Sequence, residues 1–187
     1  LSDLDFLVHY NLMFLTTHAA AGIFLSQQFD NPYAVFAAAF GSHFLLDFIP
    51  HGDEHLYHDH EWKILKKFKR AIIVNSLDLL GLLIVIFWAI QQPGDTTGRL
   101  MMVGIIGSIL PDFLSYLFPI IHERMSWLWL VRWLYRLTKP TGLRYFVRAH
   151  DWMHNLLHHD IIRRDISFKS GIILQSLLIL ALLGLAA

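Results

Sequence analysis

Five long apolar stretches separated by charged connections organise this chain. Residues 6–29 contain no Asp, Glu, Lys or Arg, residues 31–52 contain only Asp47, 71–94 only Asp78, 100–122 only Asp112, and 170–187 none. Each stretch is close to the roughly 20 residues (range about 17–25) that an α-helix needs to cross the hydrocarbon core of a bilayer. The pattern predicts an all-α fold, a polytopic membrane helix bundle of about five spans forming one domain, with spans near 12–29, 33–50, 71–91, 100–121 and 170–187. Residues 30–32 (Asp-Asn-Pro) and 92–99, with Pro93, Gly94 and Gly98, carry turn formers and read as short hairpins. Residues 1–12 begin with Leu and carry Asp3 and Asp5 where a secretory signal needs a positive region; they read as a cloning remnant or an upstream extension.

The connection 122–169 has its own pattern. Arg132 and Arg136 stand four apart among Trp127, Trp129, Trp133 and Tyr135, too basic a segment to cross a bilayer and suited to a helix lying among lipid headgroups. Lys139-Pro-Thr-Gly142 breaks that helix, and a second is expected from about 143 to 160.

Composition strengthens the membrane reading. Of the 187 residues, 55% are hydrophobic and only 16% charged, against about 25% charged in ordinary soluble domains. Lys+Arg and Asp+Glu balance at 15 each, which sets aside a nucleic-acid-binding surface, and the absence of cysteine excludes disulfides, thiolate nucleophiles and Cys-ligated zinc. With five spans, fourteen of the fifteen cations fall on one side and only Arg99 on the other. By the positive-inside rule the basic side is cytoplasmic. The sequence carries no sign of oligomeric state.

Histidine changes the picture again. Nine of the twelve histidines fall within 43–60 and 150–159. His43 and Asp47 are four apart on one helical face, and His150, His154 and His158 form a double four-residue ladder. Asp47, Asp78 and Asp112 lie inside predicted spans, where a carboxylate costs about 2.5–3.5 kcal/mol on insertion scales and calls for a partner. With His18 they converge on the cytoplasmic half. Imidazoles and carboxylates together are a mixed shell for a divalent cation, zinc first, with manganese or iron as alternatives. The expected ligands are His18, His43, Asp47, Asp112, His150, His154 and His158, with Asp78 supporting them from behind. His9, His60 and His122 read as solvated interfacial residues.

Three short motifs carry a resemblance. Thr17-His18-Ala-Ala-Ala-Gly22, Leu110-Pro111-Asp112 and His150-Asp-Trp-Met-His154-Asn-Leu-Leu-His158 resemble the marks of the small bacterial inner-membrane proteins called predicted membrane-bound metal-dependent hydrolases, the YdjM-like family. The resemblance implies a metal-dependent hydrolase in a bacterial inner membrane and implicates His18, Asp112, His150 and His154. The chain differs from the family pattern in having Phe113-Leu114 after the Pro-Asp pair, and Asp151 and Asn155 within the last motif.

The resulting expectation is a membrane-embedded hydrolase with one or two divalent ions, cleaving a phosphoester of a lipid or lipid-linked substrate at the cytoplasmic interface. His51, Asp53 and Glu54 stand as candidate catalytic acid–base groups, and Arg132, Arg136, Arg144 and Arg148 as the cationic fringe for an anionic headgroup. Two other readings fit parts of the pattern: a di-iron oxygenase or desaturase, on the resemblance of His154-Asn-Leu-Leu-His158-His159 to histidine boxes, and a non-catalytic metal-stabilised scaffold.

Overall fold

The computed structural model describes residues 13–50, 64–119, 142–156 and 166–186. They form six helices and no strand: α1 (Leu15–Ser26), α2 (Pro32–Leu46), α3 (Ile64–Ile90), α4 (Asp95–Pro119), α5 (Leu143–Asn155) and α6 (Phe168–Ala186). The segments Ile72–Ile90, Thr96–Ser115 and Phe168–Ala186 are long and apolar enough to cross a membrane. Leu77, Leu83, Ile84 and Phe87 on α3, and Ile173, Leu177, Leu180 and Leu185 on α6, are exposed. So continuous an apolar surface is abnormal in water and ordinary in lipid, which makes this a membrane protein.

The first two expected spans come out shorter. α1 has 12 residues and α2 has 15, about 18 and 22 Å at 1.5 Å per residue, below the ~30 Å of a hydrocarbon core. The charge-free runs overstated them because Gln27, Gln28 and Phe29 carry no charge yet lie in the turn after α1. Asn31 starts α2 by accepting from the Tyr33 amide at 2.8 Å, with Pro32 at the first helical position. This follows from the chemistry of Asp-Asn-Pro, since Pro32 brings no N–H to be met and the Asn31 side chain accepts from the next amide. The 92–99 hairpin is also tighter than expected: Gly94, at φ +94°, closes the turn and α4 begins at Asp95.

α1 is the hub. Nine of its twelve residues are buried, and it packs against α2, α3, α4 and α6. Two contacts set its closest approaches. Gly22 meets Gly104 of α4 backbone to backbone, so that a Cβ on either would overlap the other's carbonyl, and Gly81 of α3 faces the Thr16 side chain. Ala19 and Ile23 complete the core with Leu82, Val85, Ala89, Met101 and Ile105. The pairings give direction. Thr16 meets Gly81 while Ile23 packs in the cluster with Ala89, so α1 and α3 run parallel; Gly22 meets Gly104 while His18 faces Asp112, so α4 runs opposite.

The start of α1 is half-buried and has no side-chain cap of its own. A helix start leaves amides unbonded, which is costly away from water. Other helices supply the acceptors: Asp78 of α3 takes the Leu15 amide on Oδ2 at 2.8 Å and the Thr16 amide on Oδ1 at 3.0 Å. Gln175 of α6 takes the Phe14 amide on Oε1 at 2.8 Å. Asp78 lies six residues, about 9 Å along the axis, beyond Ile72, where the apolar segment of α3 begins.

Candidate metal centre

Five polar side chains from four helices meet at the end of the bundle where α2 and α4 finish and α1 starts. His18 and His43 are 0% exposed, Asp47 and Asp112 2%, and His150 4%. His18 sits in the second turn of α1 (Leu15–Ser26), held there by the Asp78 and Gln175 contacts. On α2 the buried residues Val35, Ala39 and His43 recur every four positions, and Asp47 follows as the C-cap residue on the same line. α2 can lie this close to α4 because of Gly107, whose added Cβ would stand 2.9 Å from the Phe36 carbonyl oxygen and 3.2 Å from Ala39. Asp112 follows Pro111 on the buried face of α4, three residues before the end of the apolar segment Thr96–Ser115. α5 closes the group from outside. Its Phe146 packs on Phe40 at a centroid distance of 5.8 Å, and His150 turns inward while Tyr145 and Trp152 stay exposed.

The imidazoles are oriented by bonds at their far sides. His43 Nδ1 lies 2.9 Å from the Ser108 carbonyl oxygen, an acceptor only, so Nδ1 donates and the neutral ring keeps its lone pair on Nε2. His150 Nδ1 lies 2.9 Å from Ser115 Oγ, a hydroxyl able to accept. The two Nε2 atoms face each other at 3.1 Å. Around His43 Nε2 stand Asp47 Oδ2 at 3.4 Å and Asp112 Oδ1 at 3.5 Å, and Asp112 Oδ1 is 3.7 Å from His150 Nε2. His18 stacks on His43 with centroids 4.3 Å apart and faces Asp47 Oδ1 at 3.5 Å and Asp112 Oδ2 at 3.7 Å. Among the described residues, its two ring nitrogens and Asp112 Oδ2 have no hydrogen-bond partner.

These spacings suit ligands around a cation better than a hydrogen-bonded network. Metal bonds of about 2.0–2.1 Å in a tetrahedral shell put neighbouring ligand atoms about 3.3 Å apart. A carboxylate held away from water costs several kcal/mol unless a cation or proton donor stands beside it. No Lys or Arg among the described residues pairs with Asp112. His18, His43 and Asp47 form one group able to hold a metal, and His43, Asp112 and His150 another.

Five of the seven expected ligands are therefore brought together: His18, His43, Asp47, Asp112 and His150. His154 lies on α5 one turn beyond His150, but its side chain, like that of Arg144, falls outside the described residues, as do His158, Arg132, Arg136, His51, Asp53 and Glu54. Arg148 is exposed on α5. Asp78 bonds the α1 backbone and so supports His18 through the helix that carries it. Sequence reasoning missed Ser108, Ser115 and Gln175. The available signal was spacing: Ser108 and Ser115 lie four before and three after Asp112 on one face, and Gln175 is the one carboxamide in 170–187.

No family model matches the chain, and neither curated proteins nor solved structures give a match.

Proposed function

We propose that the chain is a membrane-embedded metal-dependent hydrolase, with zinc the favoured ion, that cleaves a phosphoester of a lipid or lipid-linked substrate. One observation carries the reading: imidazole nitrogens and carboxylates from four helices converge at 3.1–3.7 Å, buried, with Asp112 facing three imidazoles. A bound divalent cation lowers the pKa of water toward about 7 and polarises a phosphoryl oxygen. Hydrolysis then forms a bond from the water oxygen to phosphorus, breaks the P–O ester bond, and returns a proton to the leaving alkoxide. Ser108 and Ser115 fix the rings, and α5 keeps bulk water from the ligands.

Location supports a lipid substrate. The α5 helix over the site exposes Arg148 beside Trp152 and Tyr145, a combination suited to the headgroup layer. The starts of α1, α3 and α6 and the ends of α2 and α4 lie toward the connections that hold fourteen of the fifteen cations. That arrangement supports a five-element membrane bundle with the site on the cytoplasmic side of a bacterial inner membrane. Resemblance to the YdjM-like family supports the same reading, since His18, Asp112 and His150 come from its three separate motifs.

The test pairs metal analysis with turnover. Purified protein is expected to hold stoichiometric divalent metal and to release a water-soluble phosphoester from anionic phospholipid vesicles without oxygen. Chelation should stop this, and Asp47→Ala and Asp112→Ala should lower it at least about 100-fold. Metal-free wild type that still binds none on reconstitution overturns the proposal. The same donors accept iron, so turnover that needs oxygen and bound iron would instead favour the oxygenase reading.

A further inference from the structure

The bonds within the cluster divide it in two. His43 Nε2 gathers His150 Nε2 at 3.1 Å and Asp112 Oδ1 at 3.5 Å. His18 Nε2 gathers Asp47 Oδ1 at 3.5 Å and Asp112 Oδ2 at 3.7 Å. Asp112 thus turns one oxygen to each half, and so does Asp47, whose Oδ2 lies 3.4 Å from His43. One cation cannot serve both halves. Bonds of about 2.0–2.2 Å keep its ligands within about 4.4 Å of one another, and the side chains fall into two overlapping groups, His18–His43–Asp47 and His43–Asp112–His150, rather than one of five. His43 belongs to both groups, but with Nδ1 donating to Ser108 it has a single lone pair and serves one ion.

We propose that the centre is dinuclear: His43, His150 and Asp112 would hold one divalent cation, and His18 and Asp47 a second, with Asp112 Oδ2 on the side of His18. This rests on the metal-dependent reading above and adds the second ion. The independent observation is the state of the second half. His18 Nε2 and Asp112 Oδ2 face each other, buried, with no hydrogen-bond partner among the described residues. Leaving such groups unmet costs about 1–3 kcal/mol each. His18 stacks on His43 with ring centroids 4.3 Å apart, so the two halves lie side by side, as the paired ions of two-metal sites do. Two divalent cations against two carboxylates leave net positive charge, which fits an anionic phosphoester and the hydroxide that attacks it.

Manganese is the probe. Wild-type protein in detergent, stripped and reloaded with Mn²⁺, should bind two equivalents and give an exchange-coupled electron paramagnetic resonance spectrum, its hyperfine spacing half that of an isolated ion. His18→Ala and His18→Gln should each bind one equivalent with the uncoupled six-line signal. One equivalent in wild type, or two without coupling, overturns the dinuclear centre and leaves a mononuclear hydrolase standing. No binding overturns both. The wild-type spectrum decides even if the His18 variants fail to fold.

Discussion

His43 and His150 face each other through Nε2 at 3.1 Å while their Nδ1 atoms are held from the other side by two groups of a single helix, the Ser108 carbonyl and the Ser115 hydroxyl. α4 therefore fixes the aim of two imidazoles borne by α2 and α5. Only the Ser115 contact can be removed by a side-chain change. Ser115→Ala is expected to weaken metal affinity about 10–100-fold, the usual effect of losing an orienting partner, with the fold retained. Competition with a fluorescent chelator measures it, and unchanged affinity would show that His150 is oriented by other contacts.

The Gly22–Gly104 contact allows a sharp stability comparison. A methyl group on either glycine meets backbone, which cannot swing aside. Gly22→Ala and Gly104→Ala should each cost at least about 1–3 kcal/mol, as overpacking does. Gly41 and Gly184 have nothing within 4 Å of a built Cβ, so their Ala variants should be neutral or stabilising by up to about 1 kcal/mol from helix propensity. Thermal unfolding in detergent should separate the two pairs clearly. Equal behaviour would mean that α1 and α4 do not cross at these residues.

Asp78 differs from the other intramembrane carboxylates because its partners are amides. Hydrogen bonds to a charged group contribute about 1.5–3 kcal/mol each, and Asp78 accepts two from the first turn of α1. Asp78→Ala should therefore be more destabilising than Asp78→Asn, which keeps one acceptor oxygen. Asp78→Asn should also retain wild-type metal stoichiometry, whereas Asp112→Asn should not. Loss of metal from folded Asp78→Asn would make it a ligand instead.

How far the sequence speaks for this site depends on the range of each interaction. His43 and Asp47 announce themselves through four-residue spacing, and His18 and Asp112 stand out as polar groups within apolar runs. The cap on α1 is not legible, because Asp78 and Gln175 act across 63 and 161 residues of chain. Nothing local to either residue names a helix start as its partner. Ser108 and Ser115 were hidden for another reason: small hydroxyl residues are also what close helix packing in lipid selects. Absence of charge marked where lipid-compatible segments lie but not where helices end, and this is why α1 and α2 are shorter than the runs that contain them.

The absence of cysteine makes the membrane disposition directly measurable. Because α1 runs parallel to α3, the α1–α2 turn and the α3–α4 turn lie at the same end of the bundle, opposite the metal centre. Gln27 and Gln91 are exposed in those turns, while Leu83 and Leu180 are exposed on the apolar faces of α3 and α6. Single Cys variants at the four positions should divide cleanly in oriented membranes. Gln27→Cys and Gln91→Cys should react with a membrane-impermeant maleimide added from one and the same side, and Leu83→Cys and Leu180→Cys only with a lipid-soluble one. Labelling of Gln27→Cys and Gln91→Cys from opposite sides would break the parallel arrangement of α1 and α3. With it would go the burial of the α1 start that places His18 against Asp112.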